Sequence, residues 1–155
     1  MELVGSINGL VCLSSDLVSI MWKPATNQYT NIPTPNINLP NIGGRFSIGF
    51  CFDPLRHDYK IVRIVWLLSY EPCAEVYLVS AAYWREIDVE IPFETVRGKC
   101  NTIVRGEPYW SAARSSVSVV WFDACEELFR KGPPMILRDT VVEDLVNFEN
   151  SIAVL

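Results

Sequence analysis

The chain has 155 residues, half of them apolar and a fifth charged, with a formal net charge of -5. That length suits one domain with a real core, and an apolar share this high, with Tyr, Phe and Trp spread throughout, excludes a disordered segment. Lys and Arg are scattered singly in an acidic chain, which excludes a polyphosphate-binding face and, with it, nucleic acid as a partner.

Short runs rich in β-branched and aromatic residues, separated by Gly, Pro, Asn and Asp, predict an all-β fold. In chain order the expected strands are Ile7–Leu13, Leu17–Trp22, Gln28–Ile32, Phe46–Phe52, Tyr59–Trp66, Ala74–Val79, Tyr83–Ile87, Thr102–Val104, Pro108–Ala112, Val117–Phe122, Glu127–Arg130 and Ile152–Leu155. Alternation over Tyr59–Ile64 is imperfect, because Ile61 and Arg63 oppose Lys60, Val62 and Ile64, so burial on both faces is open there. Thr34–Arg45, with two Pro, two Gly and three Asn, reads as a long exposed loop. One segment departs from the pattern: Thr140 and Glu143 have capping-box spacing, and Val141, Val142, Leu145, Val146 and Phe148 could form a helical face. A short helix or irregular loop is expected there.

The five cysteines, Cys12, Cys51, Cys73, Cys100 and Cys125, are widely spaced, and His57 is the single histidine. Neither a zinc site nor a disulfide framework fits that spacing. No N-x-[ST] acceptor occurs, residues 1–15 carry no leader-type pattern, and no apolar run approaches the length of a membrane span. The expected setting is reducing, cytoplasmic or nuclear, with no membrane partner.

A repeat organises the strands. An aromatic that ends one strand is followed seven residues later by a second aromatic and then by a proline: Trp22, Tyr29, Pro33; Tyr77, Trp84, Pro92; Phe122, Phe129, Pro133. The first aromatics lie 55 and 45 residues apart, bracketing the roughly 50-residue period of kelch blades. Two rings on one hairpin can seal a small sheet against its neighbour. A turn-forming pair ahead of an apolar run also recurs, at Asn8-Gly9, Arg105-Gly106 and Asn150-Ser151, and each run is read as the innermost strand of a blade. These features predict a partial kelch-like β-propeller of about three antiparallel blades.

Four ordered stretches resemble the plant F-box-associated interaction domain, including the S-locus F-box-like and F-box/kelch-repeat proteins. They are Gly5–Leu13; Met21–Thr26 leading to Tyr29 and Pro33; Gly49–Pro54 with Asp58–Arg63; and Glu75–Leu78 with Tyr83–Arg85. Arg105–Trp110 with Trp121–Asp123 is a weaker fifth. The resemblance implies one domain over residues 1–155 that binds a target protein and needs no cofactor. In such proteins an N-terminal F-box docks the SKP-like adaptor of an SCF ubiquitin ligase. The resemblance begins within the first blade and ends on Ile152–Leu155, which reads as the first strand of a further blade, so a domain truncated at both ends is expected. Adaptor binding is then expected only where the full-length protein supplies an F-box. The alternative is a stand-alone or vestigial kelch-like fragment with no ligase role.

No catalytic motif of the hydrolase, nucleotide-binding or zincin type occurs. His57 with Asp53 and Asp58 could suggest a general base, but Asp53–Asp58 reads better as a polar hairpin turn. Cys12 and Cys51 lie in apolar runs and are expected to behave as small hydrophobes. The chain is therefore read as a non-enzyme, with Arg45, Arg56, His57 and Asp58, and the loop over Thr34–Arg45, as contact positions for a target protein.

Overall fold

The computed structural model describes residues 1–39, 44–68, 71–91, 98–100, 102–113, 117–133, 145–148 and 151–154. The fold is all-β and is built from successive small sheets. Blade one is an antiparallel meander of β1 (Glu2–Ile7), β2 (Leu10–Ser14), β3 (Ser19–Lys23) and β4 (Gln28–Ile32). Blade two comprises β5 (Arg45–Asp53), β6 (Asp58–Trp66), β7 (Cys73–Leu78) and β8 (Tyr83–Ile87), and β9 (Gly98–Lys99) adds to the edge of β5 in parallel. Blade three comprises β10 (Thr102–Val104), β11 (Glu107–Ala113), β12 (Val117–Asp123) and β13 (Leu128–Lys131). A fourth, two-stranded sheet pairs β14 (Leu145–Phe148) with β15 (Ser151–Val154).

The first strands of the blades gather together, β1 against β5 and β10, and β10 against β14. This is the fanned arrangement that the repeat predicts, and three sheets are four-stranded meanders at its heart. Its turns have a common geometry. A turn of four residues closes β3–β4, β5–β6, β7–β8 and β12–β13, and its last residue is left-handed each time: Asn27 (φ 51°), His57 (φ 50°), Ala82 (φ 56°) and Glu127 (φ 54°). One further cross-strand pair flanks each turn, so the next opposed pair is separated by seven residues. That is the physical origin of the aromatic spacing: Trp22 opposes Tyr29, Tyr77 opposes Trp84, and Phe122 opposes Phe129. Phe52 and Tyr59 form a fourth such pair across β5–β6, with ring centroids 4.8 Å apart.

Two of the three expected pairs are buried against a neighbouring element. Tyr77 and Trp84 lie 5.4 Å apart on the blade-two face that meets the linker from blade one, where the Trp84 indole N–H donates to the Pro33 carbonyl at 2.8 Å. Phe122 and Phe129 lie 5.0 Å apart on the same face as Trp110, whose indole N–H donates to Ser47 Oγ of blade two at 2.8 Å. Burying a ring of this kind is worth about 2–3 kcal/mol. The first pair does not seal: Trp22 and Tyr29 occupy the blade-one face opposite Met21 and Cys12, and Tyr29 is 68% exposed. Met21, Cys12 and Ile32 take the buried side of that blade.

Several strand assignments shift for stated reasons. Ile7–Leu13 is not one strand but a hairpin, because Asn8 (φ 51°) and Gly9 (φ 78°) are both left-handed and form the two-residue turn that suits antiparallel twist. Arg105 (φ 52°) and Gly106 (φ 77°) repeat it between β10 and β11. The apolar runs after these turns are therefore second strands, and the innermost strands precede them. Ile152 likewise lies in β15, the second member of its pair, not in a first strand. Leu145, Val146 and Phe148 do not form a helical face, since Leu145–Phe148 pairs with Ser151–Val154. Cross-strand pairing and β-branched content override the capping-box spacing there, and Thr140–Asp144 falls outside the described residues, as does Pro92. Strand β6 is buried on both faces, as its imperfect alternation allowed.

Blade two is the centre of the core. Its face carrying Phe46, Ile48, Phe50, Ile61, Arg63, Glu75 and Tyr77 looks toward blade one, and the face carrying Ser47, Gly49, Cys51, Lys60 and Val62 looks toward blade three. Contact with blade three is tightest at Gly49, where an added Cβ would sit 2.7 Å from Pro108 Cβ and 2.9 Å from Trp110 Cη2. Gly49→Ala is therefore expected to destabilise the fold by about 1–3 kcal/mol through overpacking. Urea unfolding followed by tryptophan fluorescence would register it as a lower midpoint at unchanged m-value.

Candidate interaction surface

The strands expose two rims. One carries the turns at 24–27, 54–57, 79–82, 105–106 and 124–127; the other carries the turn at 15–18 and the linkers between blades. Strand β5 spans nine residues from one rim to the other, which is on the order of 25 Å. The expected contact residues divide between them. Arg56, His57 and Asp58 lie at the first rim, and Arg45, paired with Trp66, lies at the second. The structure therefore does not bring Arg45 together with the other three.

At the first rim a buried ionic cluster joins blades two and three. Asp53, fully buried at the end of β5, opens the turn by accepting hydrogen bonds from the Leu55 and Arg56 amides at 3.0 and 3.2 Å. Its other oxygen takes Arg56 Nη1 at 2.9 Å and Lys60 Nζ at 3.0 Å. The Lys60 ammonium, 1% exposed, crosses the seam to donate to the Ala124 carbonyl at 2.7 Å and to Glu127 Oε1 at 3.1 Å. Arg85 of β8 also donates to both Glu127 oxygens. Burial alone would raise the Asp53 pKa, but hydrogen bonds from Arg56, Lys60 and Cys125 outweigh it and hold the carboxyl well below its ordinary range. Glu127 is lowered in the same way, with burial overcome by Arg85 and Lys60.

Of the side chains expected to act at that rim, Arg56 joins this cluster, whereas Asp58 and His57 lie outside it. Asp58 is buried and spends its carboxylate on the Ser80 amide and hydroxyl, at 3.0 and 2.7 Å, which locks the neighbouring turn. The Arg56 guanidinium is 63% exposed but bonded to Asp53 and to the Cys125 carbonyl. His57 is exposed, its ring beside Phe52 at 6.4 Å, and Asp53 and Asp58 both direct their carboxylates to other partners. That arrangement does not build a general base. Burial pushes the thiols of Cys12 and Cys100 up to about 12 and about 11, and raises Cys51 well above the ordinary thiol range, so these three are not nucleophiles at neutral pH. Among the described residues no group of His, Cys, Asp and Glu is arranged to hold a metal ion.

At the second rim, blades one and two leave a cleft. Its floor is set by the Arg63–Glu75 pair, 2.6 Å apart and buried. Glu75 Oε2 accepts the Asn36 and Ile37 amides at 3.2 and 3.1 Å, while Arg63 donates to the Ile37 carbonyl at 2.7 Å and stacks over Phe46. The first half of the expected exposed loop is thus pinned to blade two. Between this pinned segment and the 15–18 turn lies a hollow of about 220 Å³ lined by Val18, Ile32, Pro35, Phe46, Ile48 and Trp84 among others. Arg45 does not line it, because alternation along β5 turns Arg45 to the face of Ser47 and Gly49. The turn residues Asp16, Leu17 and Val18, absent from the sequence-based set, form its outer wall. The signal that could have found them was an aliphatic pair in a polar turn, and Leu17 is indeed 88% exposed.

Comparison with known proteins agrees with this geometry. A family model described as the F-box associated beta propeller domain matches residues 1–154. A provisionally named F-box protein of Arabidopsis thaliana, At3g16210, is 28% identical over 131 residues, covering 81% of this chain and 35% of that protein. A second, At3g10240 from the same plant, is 30% identical over 83 residues, covering 53% of this chain and 20% of its own length. F-box protein CPR1 of Arabidopsis thaliana is 35% identical over 68 residues, 41% of this chain and 16% of that protein. The chain spans roughly a fifth to a third of the length of the first curated relatives it matches. No solved structure matches it.

The seam cluster yields two expectations. Lys60→Met leaves Asp53 and Glu127 each short of a buried cation and should cost about 3 kcal/mol, read as a lower urea midpoint. Because Asp53 and Glu127 hold protons less readily in the fold than in the unfolded chain, their contribution is complete above the ordinary carboxylate range and is lost as pH falls through and below it. Unfolding midpoints measured across pH should be level near neutrality and fall below about pH 4.5, and Lys60→Met should flatten that acid limb.

Proposed function

Since the chain belongs to the F-box associated β-propeller family, a family of non-catalytic domains, we propose that it recognises a target protein for an SCF-type ubiquitin ligase and holds that target at the cleft between blades one and two. The observation that carries this reading is the contrast between the rims. At the first rim Arg56 is bonded to Asp53 of the seam cluster and Asp58 to Ser80, whereas at the second a hollow with a preorganised floor stands open beside exposed Leu17 and Val18. Sites of this kind, on loops fixed to a rigid sheet scaffold, suit protein recognition. Arg56 and His57 would act as rim contacts for a larger target, and Arg45 as a contact at the far end of β5.

Ubiquitin transfer in such an assembly is performed by other subunits. An F-box on the same full-length protein would dock the SKP-like adaptor, and the domain described here would present the target. A cytoplasmic or nuclear setting fits that role; no helix among the described residues is long and apolar enough to cross a membrane.

Val18→Trp fills the mouth of the cleft from an exposed turn and should leave the fold intact. The test compares, in the native organism, proteins bound by the wild-type chain and by this variant, and then their half-lives. A target that is lost on Val18→Trp and whose half-life lengthens when the gene is disrupted is the expected result. Bound proteins whose turnover is indifferent to the gene would instead favour a kelch-like interaction module with no ligase role.

A further inference from the structure

Resting on the cleft reading above, we propose that the hollow accepts a large apolar side chain from a target segment that carries Lys or Arg within a few residues, and that Asp16 pairs with that cation. The lining is mainly apolar, from Val18, Ile32, Pro35, Phe46, Ile48 and Trp84. Among the described residues, two charged ones line it, Asp16 and Arg63. Arg63 is already neutralised by Glu75 at 2.6 Å and also donates to the Ile37 carbonyl. Asp16 is exposed at the tip of the turn, and its carboxylate has no hydrogen bond or ion pair among the described residues. The hollow therefore offers a lining more apolar than polar, interrupted by Ser14, Ser19, Thr34 and Asn38, with one uncommitted negative charge at its edge among the described residues.

The turn that presents Asp16 is fixed. Ser15 accepts the Leu17 and Val18 amides on its Oγ at 3.4 and 3.1 Å, its own amide donates to the Val18 carbonyl at 2.8 Å, and Ser14 and Ser19 share a hydrogen bond at 2.8 Å across the base. A second hollow of about 300 Å³ continues past Ser14, Ser15 and Asp16 toward Glu2 and Met1, sharing Phe46 and Ile48 with the first. Glu2 and Lys99 put one charge of each sign on its lining, and the Lys99 ammonium is held at the Leu3 carbonyl at 2.7 Å. A segment laid across both hollows thus passes over Asp16 at their common wall, where a cation on the segment meets the carboxylate. An acidic segment meets repulsion at the same point. This is specificity by charge at the edge of an apolar site, a division of labour common in protein recognition.

A random dodecapeptide display library, selected on the full chain at low salt, tests the assignment with no target yet identified. The enriched peptides should pair Leu, Ile, Met or Phe with Lys or Arg one to three positions away. Synthetic copies should lose about tenfold in affinity on Asp16→Lys, with most of that difference erased in high salt, and a smaller part on Asp16→Asn. They should also lose binding on Val18→Trp, with the melting temperature of each variant confirming an intact fold. Peptides that are acidic or uncharged, that bind Asp16→Lys as well as wild type, or that fail to enrich at all overturn the inference. Target recognition itself is judged separately by the half-life experiment, so a Val18→Trp-sensitive target whose bound segment lacks a cation would sink the charge assignment while leaving that reading in place.

Discussion

A buried ammonium group anchors the seam between blades two and three. Lys60 is 1% exposed and ends against Asp53 of its own blade and against Ala124 and Glu127 of the next. An unpaired lysine could not be buried there, since desolvation would exceed anything that packing returned. The two carboxylates and the carbonyl are what make the position tolerable, and they come from different sheets. Blades two and three must therefore dock in one relative placement for the charges to be satisfied. Hydrophobic contact alone, as between Gly49 and Pro108, would permit sliding; the cluster adds direction. Arg56 and Arg85 brace it from the rim side, so three cations surround two carboxylates.

The same logic with a different outcome governs the other face of blade two. Arg63 and Glu75 are also buried and paired, but their remaining hydrogen-bonding capacity is taken up by a linker, at Asn36 and Ile37, rather than by a neighbouring sheet. A linker is thinner than a sheet edge and cannot fill the wedge between two fanned blades. The space left over is the cleft. One ionic pair closes a seam and the other props one open, and this asymmetry separates a rim joined by a sealed seam from a rim that carries a cleft.

Much of the architecture could be read in the chain because the repeat is local. A four-residue turn plus one flanking pair always places opposed residues seven apart, so Tyr77 with Trp84 and Phe122 with Phe129 announce their hairpins without any long-range information. Phe52 and Tyr59 obey the same rule and could have been found by it. What the rule cannot supply is facing. Trp22 and Tyr29 satisfy the spacing yet lie on the face of blade one turned away from blade two, where Tyr29 stays exposed. Strand β9 was equally out of reach, since two residues carry no periodicity and they pair with Ser47 and Ile48 at the opposite edge of the sheet from β8, the strand before them in the chain. Nor does any one-dimensional pattern show that Lys60, polar in an otherwise apolar run, is buried. Its partners at 124 and 127 lie more than sixty residues away.

The expected contact residues illustrate the same limit from the functional side. Polar residues in a turn are good candidates for recognition, but polarity does not say whether a group is free to bind. Asp58 is consumed by Ser80, and Arg56 is shared between Asp53 and Cys125. That freedom is a property of the folded surroundings: Asp16 is no more polar than Asp53, yet its turn is closed by Ser15, which leaves the carboxylate with nothing to bind among the described residues. Where neighbouring groups complete a turn, its charge is released for a partner; where the charged group itself completes the turn, it is not. By that criterion the carboxylate at 16, beside the hollow, is left uncommitted among the described residues, and the carboxylates at 53 and 58 belong to the scaffold.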